Sequence, residues 1–158
     1  MTEVVLESAV KQLSLLREKK ISPPELAEEH IRQIERLNPS LNALIEFDPE
    51  RVRQRARTCD VHSGPLAGLP VTVKSSIQVA GYKCELGSRI LEGRVSIEDA
   101  VAVARLRAAG AIILGATNCP EFLMAYETDN LLYGRTSNPW SLDHSAGGSS
   151  GGEAAAIA

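Results

Sequence analysis

The sequence predicts an α/β protein, and three observations carry that reading. Ser22-Pro23-Pro24-Glu25 opens a helix with a capping box. Gly68-Leu69-Pro70-Val71-Thr72-Val73-Lys74 is a β-branched strand pattern. Ser96 to Gly115 reads as a capped helix, a glycine stop at Gly110 and an apolar strand. An α-to-β unit of that last kind belongs with parallel sheets. With 158 residues and 44% apolar composition, the chain suits one domain with a sizeable core.

The elements follow in order. Leu6, Ala9, Val10, Leu13 and Leu16 recur at helical spacing and end in Arg17, Lys19 and Lys20, cations that complement a helix C-terminus. The second helix runs from the capping box through Ala27, Ile31 and Ile34 to about Leu37, where Asn38-Pro39 should end it. Leu41 to Phe47 reads as a short strand. Asp48-Pro49-Glu50 then starts an arginine-rich helix to Thr58, its arginines expected on a solvated face, and Cys59 to Gly68 is a loop. The strand of residues 68–74 delivers Lys74 to its C-terminal edge. The helix from Ser96 to Ala109 is apolar nearly all round except Arg105 and Arg107, so it is expected to be buried on more than one side, and the strand Ala111 to Gly115 follows it. Residues 117–122, 133–136 and 138–140 read as loops, and Glu127 or Asp129 could pair with Arg135 there. The serine-glycine segment Ser145 to Gly152 runs into Glu153 and an alanine-rich helix start.

Charge and cysteine usage narrow the function classes. Seventeen basic against twenty acidic side chains, with no basic block, give no indication of a nucleic-acid surface, and no nucleic-acid partner is expected. Cys59, Cys84 and Cys119 are odd in number and far apart, which argues against a disulfide framework and fits a reducing compartment. The N-terminus lacks both a basic region and a long apolar core, so no signal peptide or membrane span is expected, and the reading is cytoplasmic. His30, His62 and His144 show no ligand spacing, so neither a metal nor a cofactor is expected. Phosphate-binding glycine loops and the G-x-S-x-G elbow are absent, and no histidine stands near a serine motif.

A serine-lysine system survives that elimination. A lysine at a strand end can act as a base if desolvated, and bringing its pKa from about 10.4 to near 7 takes about 4 to 5 kcal/mol, which apolar walls can supply. A solvated surface lysine is the plainer alternative. Gly147-Gly148-Ser149-Ser150-Gly151-Gly152 likewise admits two readings. As chemistry, the glycines permit close substrate approach and the amides of the following helix favour an oxyanion; as a spacer, the segment is a flexible linker.

Four ordered motifs, G-L-P-V-T-V-K (68–74), G-A-I-I-L-G-A-T-N-C-P-E-F (110–122), Y-G-R-T-S-N-P-W (133–140) and G-G-S-S-G-G-E-A-A (147–155), resemble the amidase signature family. The likeness extends to S-P-x-E-L (22–26) and L-N-P-x-L-N-A (37–43) and so covers essentially the whole chain. It implies the N-terminal part of that family's fold, a mixed β-sheet flanked by helices. It also implies amide hydrolysis by a Ser-cisSer-Lys triad, in which Lys74 is the uncharged lysine and Ser149 the cis-serine that relays the proton. Ser150 and Gly148 are their supports, Gly148 lying before the cis bond. Residues 1–158 are then one portion of a single domain without a separate second one.

The same resemblance places the family's nucleophile in a G-G-S segment beyond Ala158, so the chain alone is expected to be inactive. Apolar surfaces left uncovered make a homodimer a reasonable expectation. Within the family, Pro120 to Met124 and Gly152-Glu153 look closer to general amidases of the fatty-acid-amide-hydrolase-like branch. Ungapped matching there puts Leu123, with Ser149, against a small-molecule amide substrate. The alternatives are the A subunit of glutamyl-tRNA(Gln) amidotransferase, or a non-catalytic pseudoenzyme or assembly module. Ser75-Ser76 stand where Asp-Asn is frequent in the family, and Ala146 where proline is common.

Overall fold

The computed structural model describes residues 2–158. They form two compact units: residues 2–36 with Asp48–Val71 and Val101–Leu114, and Leu37–Phe47 with Thr72–Ala100 and Gly115–Ala158.

In the first unit the N-terminal helix is broken, contrary to its continuous apolar spacing. A 3-10 turn covers Thr2–Leu6 and helix α1 covers Ala9–Arg17, because the Ser8 hydroxyl accepts the Lys11 N–H and starts a new helix. The change of phase leaves Leu6 and Val10 exposed and buries Leu16 and Gln12. Gln12 Nε2 donates to Val4 O (3.2 Å) and Glu7 O (3.0 Å), which satisfies the carbonyls of the turn. Helix α2 (Pro23–Leu41) opens on the expected capping box: Ser22 N donates to Glu25 Oε2 (2.8 Å) and Glu25 N to Ser22 Oγ (3.4 Å). Leu26, Ala27 and Ile31 carry its buried face.

Helix α3 (Pro49–Arg57) is capped by the Asp48 carboxylate, which accepts from Glu50 N and Arg51 N. Its arginines are not simply solvated, since Arg53 bonds both carboxylate oxygens of Glu28 (2.8 and 3.0 Å) and also Glu50 (2.6 Å). Helix α4 (Val101–Ala108) buries only Val103, so the expected burial on several sides is not found in this chain. At Gly110 the backbone has φ +93° and an added Cβ would lie 2.6 Å from Ala67 Cα, so the stop before the next strand admits only glycine.

In the second unit α2 continues through Asn38-Pro39 to Leu41 rather than ending at Leu37. Asn38 provides the reason: its side chain donates to Leu44 O (2.9 Å) and accepts from Leu44 N (2.8 Å), holding the turn that follows the last helical residues. The strand is correspondingly shorter than expected, β1 (Leu44–Phe47). It pairs antiparallel with β3 (Ile112–Thr117), Leu44 opposite Thr117 and Phe47 opposite Gly115. Strand β2 (Pro70–Lys74) lies on the other side of β3. Ile112 N donates to Leu69 O and Ser75 N to Thr117 O, so the register of β2 and β3 rises together and the pair is parallel. The sheet is therefore mixed, and all six residues of its central strand β3 are buried.

Two further differences from the sequence reading arise here. Ser96 does not cap α4: its N–H donates to Tyr82 O and its carbonyl accepts Gly81 N–H. Ala100 N meanwhile donates to Gln78 O, and Asp99 Oδ1 accepts Ala80 N (2.7 Å). These bonds hold residues 96–100 against the 78–82 loop, and the helix begins only at Val101. Residues 137–145, read partly as loop, form a hairpin of β4 (Ser137–Asn138) and β5 (Ser141–Ser145). The Asn138 side chain turns it by accepting Trp140 N–H (2.9 Å). Arg135 pairs with neither Glu127 nor Asp129; it donates to the carbonyls of Asp143 (3.1 Å) and Leu142 (2.9 Å). The chain closes on helix α5 (Gly151–Ile157).

Candidate active site

Lys74 is the last residue of β2, and the serine pair immediately precedes α5; the fold of the second unit brings them together. Lys74 Nζ lies 3.0 Å from Ser149 Oγ and 2.8 Å from Ser150 Oγ, within hydrogen-bond reach of both hydroxyls. The peptide bond between Gly148 and Ser149 is cis. Burial pushes the Lys74 ammonium below its ordinary pKa, opposed by the nearby Cys119 thiol and the Glu153 carboxylate. A lysine so placed can exchange a proton with a hydroxyl on either side of it.

Packing imposes the glycines after the serines. An added Cβ on Gly151 would lie 2.8 Å from Thr128 Cβ, and one on Gly152 would lie 2.6 Å from Asn118 O and 2.7 Å from Ala43 O. The segment is therefore built into the structure, which removes the linker reading. The first helical amide is also committed: Gly151 N–H donates to Thr128 Oγ1 (2.8 Å), so it is not a free oxyanion donor.

Several residues that sequence reasoning missed surround this cluster. Glu153 accepts the Thr72 hydroxyl on one carboxylate oxygen (2.6 Å) and the Thr117 hydroxyl on the other (3.1 Å). Thr72 stands two residues before Lys74, and the period-two alternation of a strand could have placed both on one face. Ser75 Oγ and Cys119 Sγ lie 3.3 Å apart, both buried, and desolvation raises the Cys119 thiol pKa. Beneath them Asn118, fully buried, donates to Gly134 O (3.0 Å) and Thr136 Oγ1 (3.1 Å) and accepts from Cys119 N (3.0 Å) and Asn130 Nδ2 (2.8 Å).

Leu123 is placed differently. It ends a 3-10 turn, Glu121–Leu123, with a left-handed backbone (φ +63°), and its N–H bonds Pro120 O rather than any group of the cluster. Phe122, Met124, Tyr126 and Leu131 around it are exposed. Among the described residues no group of three or more His, Cys, Asp or Glu could hold a metal ion. No helix among them is long and apolar enough to cross a membrane.

The Amidase family model matches residues 25–158. The chain belongs to the amidase signature family. Relatives within the family carry more than one activity in their names. The A subunit of glutamyl-tRNA(Gln) amidotransferase from Methylacidiphilum infernorum is 42% identical over 155 residues, covering 98% of this chain and 31% of the relative. An acylamidase of Rhodococcus erythropolis is 41% identical over 157 residues, covering 96% of this chain and 33% of the relative. Among solved structures, 6-aminohexanoate cyclic dimer hydrolase superposes with a TM-score of 0.90 at 35% identity, over 97% of this chain and 32% of that one. The chain thus spans about a third of the length of the amidase signature relatives it matches. Identities of 42% and 41% leave the amidotransferase and general-amidase branches level.

Proposed function

We propose that these residues supply the base and the proton relay of an amidase that hydrolyses a carboxylic amide to an acid and ammonia or an amine. The placement of Lys74 Nζ 3.0 Å from Ser149 Oγ and 2.8 Å from Ser150 Oγ supports this most directly. Neutral Lys74 accepts the Ser149 proton as Ser149 takes one from an attacking serine hydroxyl; the proton then passes back through Ser149 to the leaving nitrogen as the C–N bond breaks. Ser150 holds Lys74 from the other side, and Gly148 leads into Ser149. Leu123 contacts the acyl part of the substrate. The nucleophile comes from residues outside this chain, within the same amidase signature domain, so residues 1–158 alone do not turn over and the active protein includes a further segment. The exposed apolar residues around Leu123 also keep self-association of the chain within this proposal.

Lys74→Met and Ser149→Ala in the hydrolytically active protein are expected to abolish hydrolysis of short-chain, aryl or fatty amides while the circular dichroism spectrum is unchanged. Normal turnover in either variant overturns the reading. A second reading, the A subunit of a tRNA-dependent amidotransferase, has equal support in the 42% match to such a protein. Hydrolysis of glutamine with no turnover of short-chain, aryl or fatty amides would support it.

A further inference from the structure

Lys74 and the Ser149-Ser150 pair are carried by separate elements, a strand end and the residues before a seven-residue helix, and side-chain hydrogen bonds must hold the two in register. Glu153 stands three residues after Ser150. Its Oε2 accepts Thr72 Oγ1 at 2.6 Å and its Oε1 accepts Thr117 Oγ1 at 3.1 Å, so one carboxylate joins α5 to neighbouring strands of the sheet. Thr117 also accepts Ser75 N–H on its carbonyl, which ties the residue after Lys74 to the same strand. Hydroxyl-to-carboxylate bonds are charge-assisted and stronger than neutral ones. The clamp ties together both of the elements that carry the base and its relay.

We propose that Glu153 is a positioning residue for the Lys74-Ser149 relay: its carboxylate fixes the start of α5 to the strand end bearing Lys74 and to the neighbouring strand. This rests on the reading of Lys74 as the base. The charged and titratable groups acting on Lys74 are Glu153, from α5, and the Cys119 thiol, from the segment after β3. Glu153 is the one whose charge is removable without disturbing the buried Ser75-Cys119 contact.

Glu153→Gln keeps the shape and the capacity to bond the two threonines but removes the charge, whereas Glu153→Ala removes both. Lysine-labelled NMR on the chain itself reads Lys74 directly and needs no turnover. Its titration is expected to move to lower pH in Glu153→Gln, and an unchanged midpoint overturns the inference. In the hydrolytically active protein the ascending limb of the kcat/KM profile should move to lower pH with it, since the neutral lysine is the working form. Glu153→Ala should lower the plateau by on the order of tenfold to a hundredfold, the cost of a misaligned relay, with glutamine restoring most of it. A plateau unchanged in the alanine variant overturns the positioning role. Should Lys74→Met still hydrolyse amides, the function proposed above fails, while the NMR titration still judges the Glu153 charge by itself.

Discussion

Replacing Asn118 with alanine removes a side chain that is fully buried and makes four hydrogen bonds. Two partners retain other bonds: Thr136 Oγ1 still donates to Asn42 O (2.7 Å) and Asn130 Nδ2 to Cys119 O (2.9 Å). The Cys119 N–H and the Gly134 carbonyl lose the bond that Asn118 gave them. Stranding a buried polar group costs about 1 to 3 kcal/mol. The Cys119 N–H is buried and the Gly134 carbonyl part-buried, so the two groups, less what the loop regains by relaxing, give an expected loss of about 2 to 4 kcal/mol. Urea denaturation followed by circular dichroism reads it as a lower midpoint at unchanged slope. The effect should also reach the site, because Gly152 packs against the Asn118 backbone and Gly151 is bonded by Thr128 from the same loop. Lys74 should therefore titrate closer to an ordinary lysine in Asn118→Ala. A loss below about 1 kcal/mol would mean that water or relaxation satisfies these groups, and the reasoning from buried partners would be wrong.

Two other substitutions test separate parts of the fold. Gly152→Ala puts a methyl group 2.6 Å from Asn118 O and 2.7 Å from Ala43 O, and should cost about 1 to 3 kcal/mol in the same denaturation assay; equal stability would show that α5 can shift freely. His30, half-buried and with Nε2 3.3 Å from Gln12 Oε1, has its pKa pushed down to about 4 by burial. The unfolded chain, with a His pKa near 6.5, binds more protons than the folded one between about pH 4 and 6.5, so stability contributed by neutral His30 is lost as pH falls through that window. The loss is at most about 3 kcal/mol and nearer 1 to 2 for a half-buried ring. His30→Gln should flatten that part of a stability-against-pH curve; a curve identical to wild type refutes the assignment.

Local chemistry in the sequence was enough to locate most elements. The Ser22-Glu25 box, Asp48 before Pro49, Gly110 and the β-branched run ending at Lys74 act through neighbours a few residues away, and each marks a real boundary in the structure. Errors fell where a distant partner outcompeted the local signal. Ser96 looked like a cap, but residues 78–82 take up the backbone of residues 96–100; Asn38-Pro39 looked like a stop, but Asn38 bonds Leu44. Leu6 followed the helical spacing, yet Ser8 restarts the helix out of phase.

For the site, the sequence by itself determined which residues could do the chemistry. Lysine at a strand end and adjacent serines among glycines are types and order, and four ordered motifs identified the family. Only the tertiary structure decided that the glycines are packing requirements, that the Gly151 amide is already bonded, and that Glu153 joins helix α5 to Thr72 and Thr117. The physical reason is range. Capping, propensity and turn chemistry act over three or four residues, whereas Lys74 and Ser149 are 75 positions apart and Thr72 and Glu153 are 81 apart, so which side chains meet across the sheet depends on the whole unit having folded.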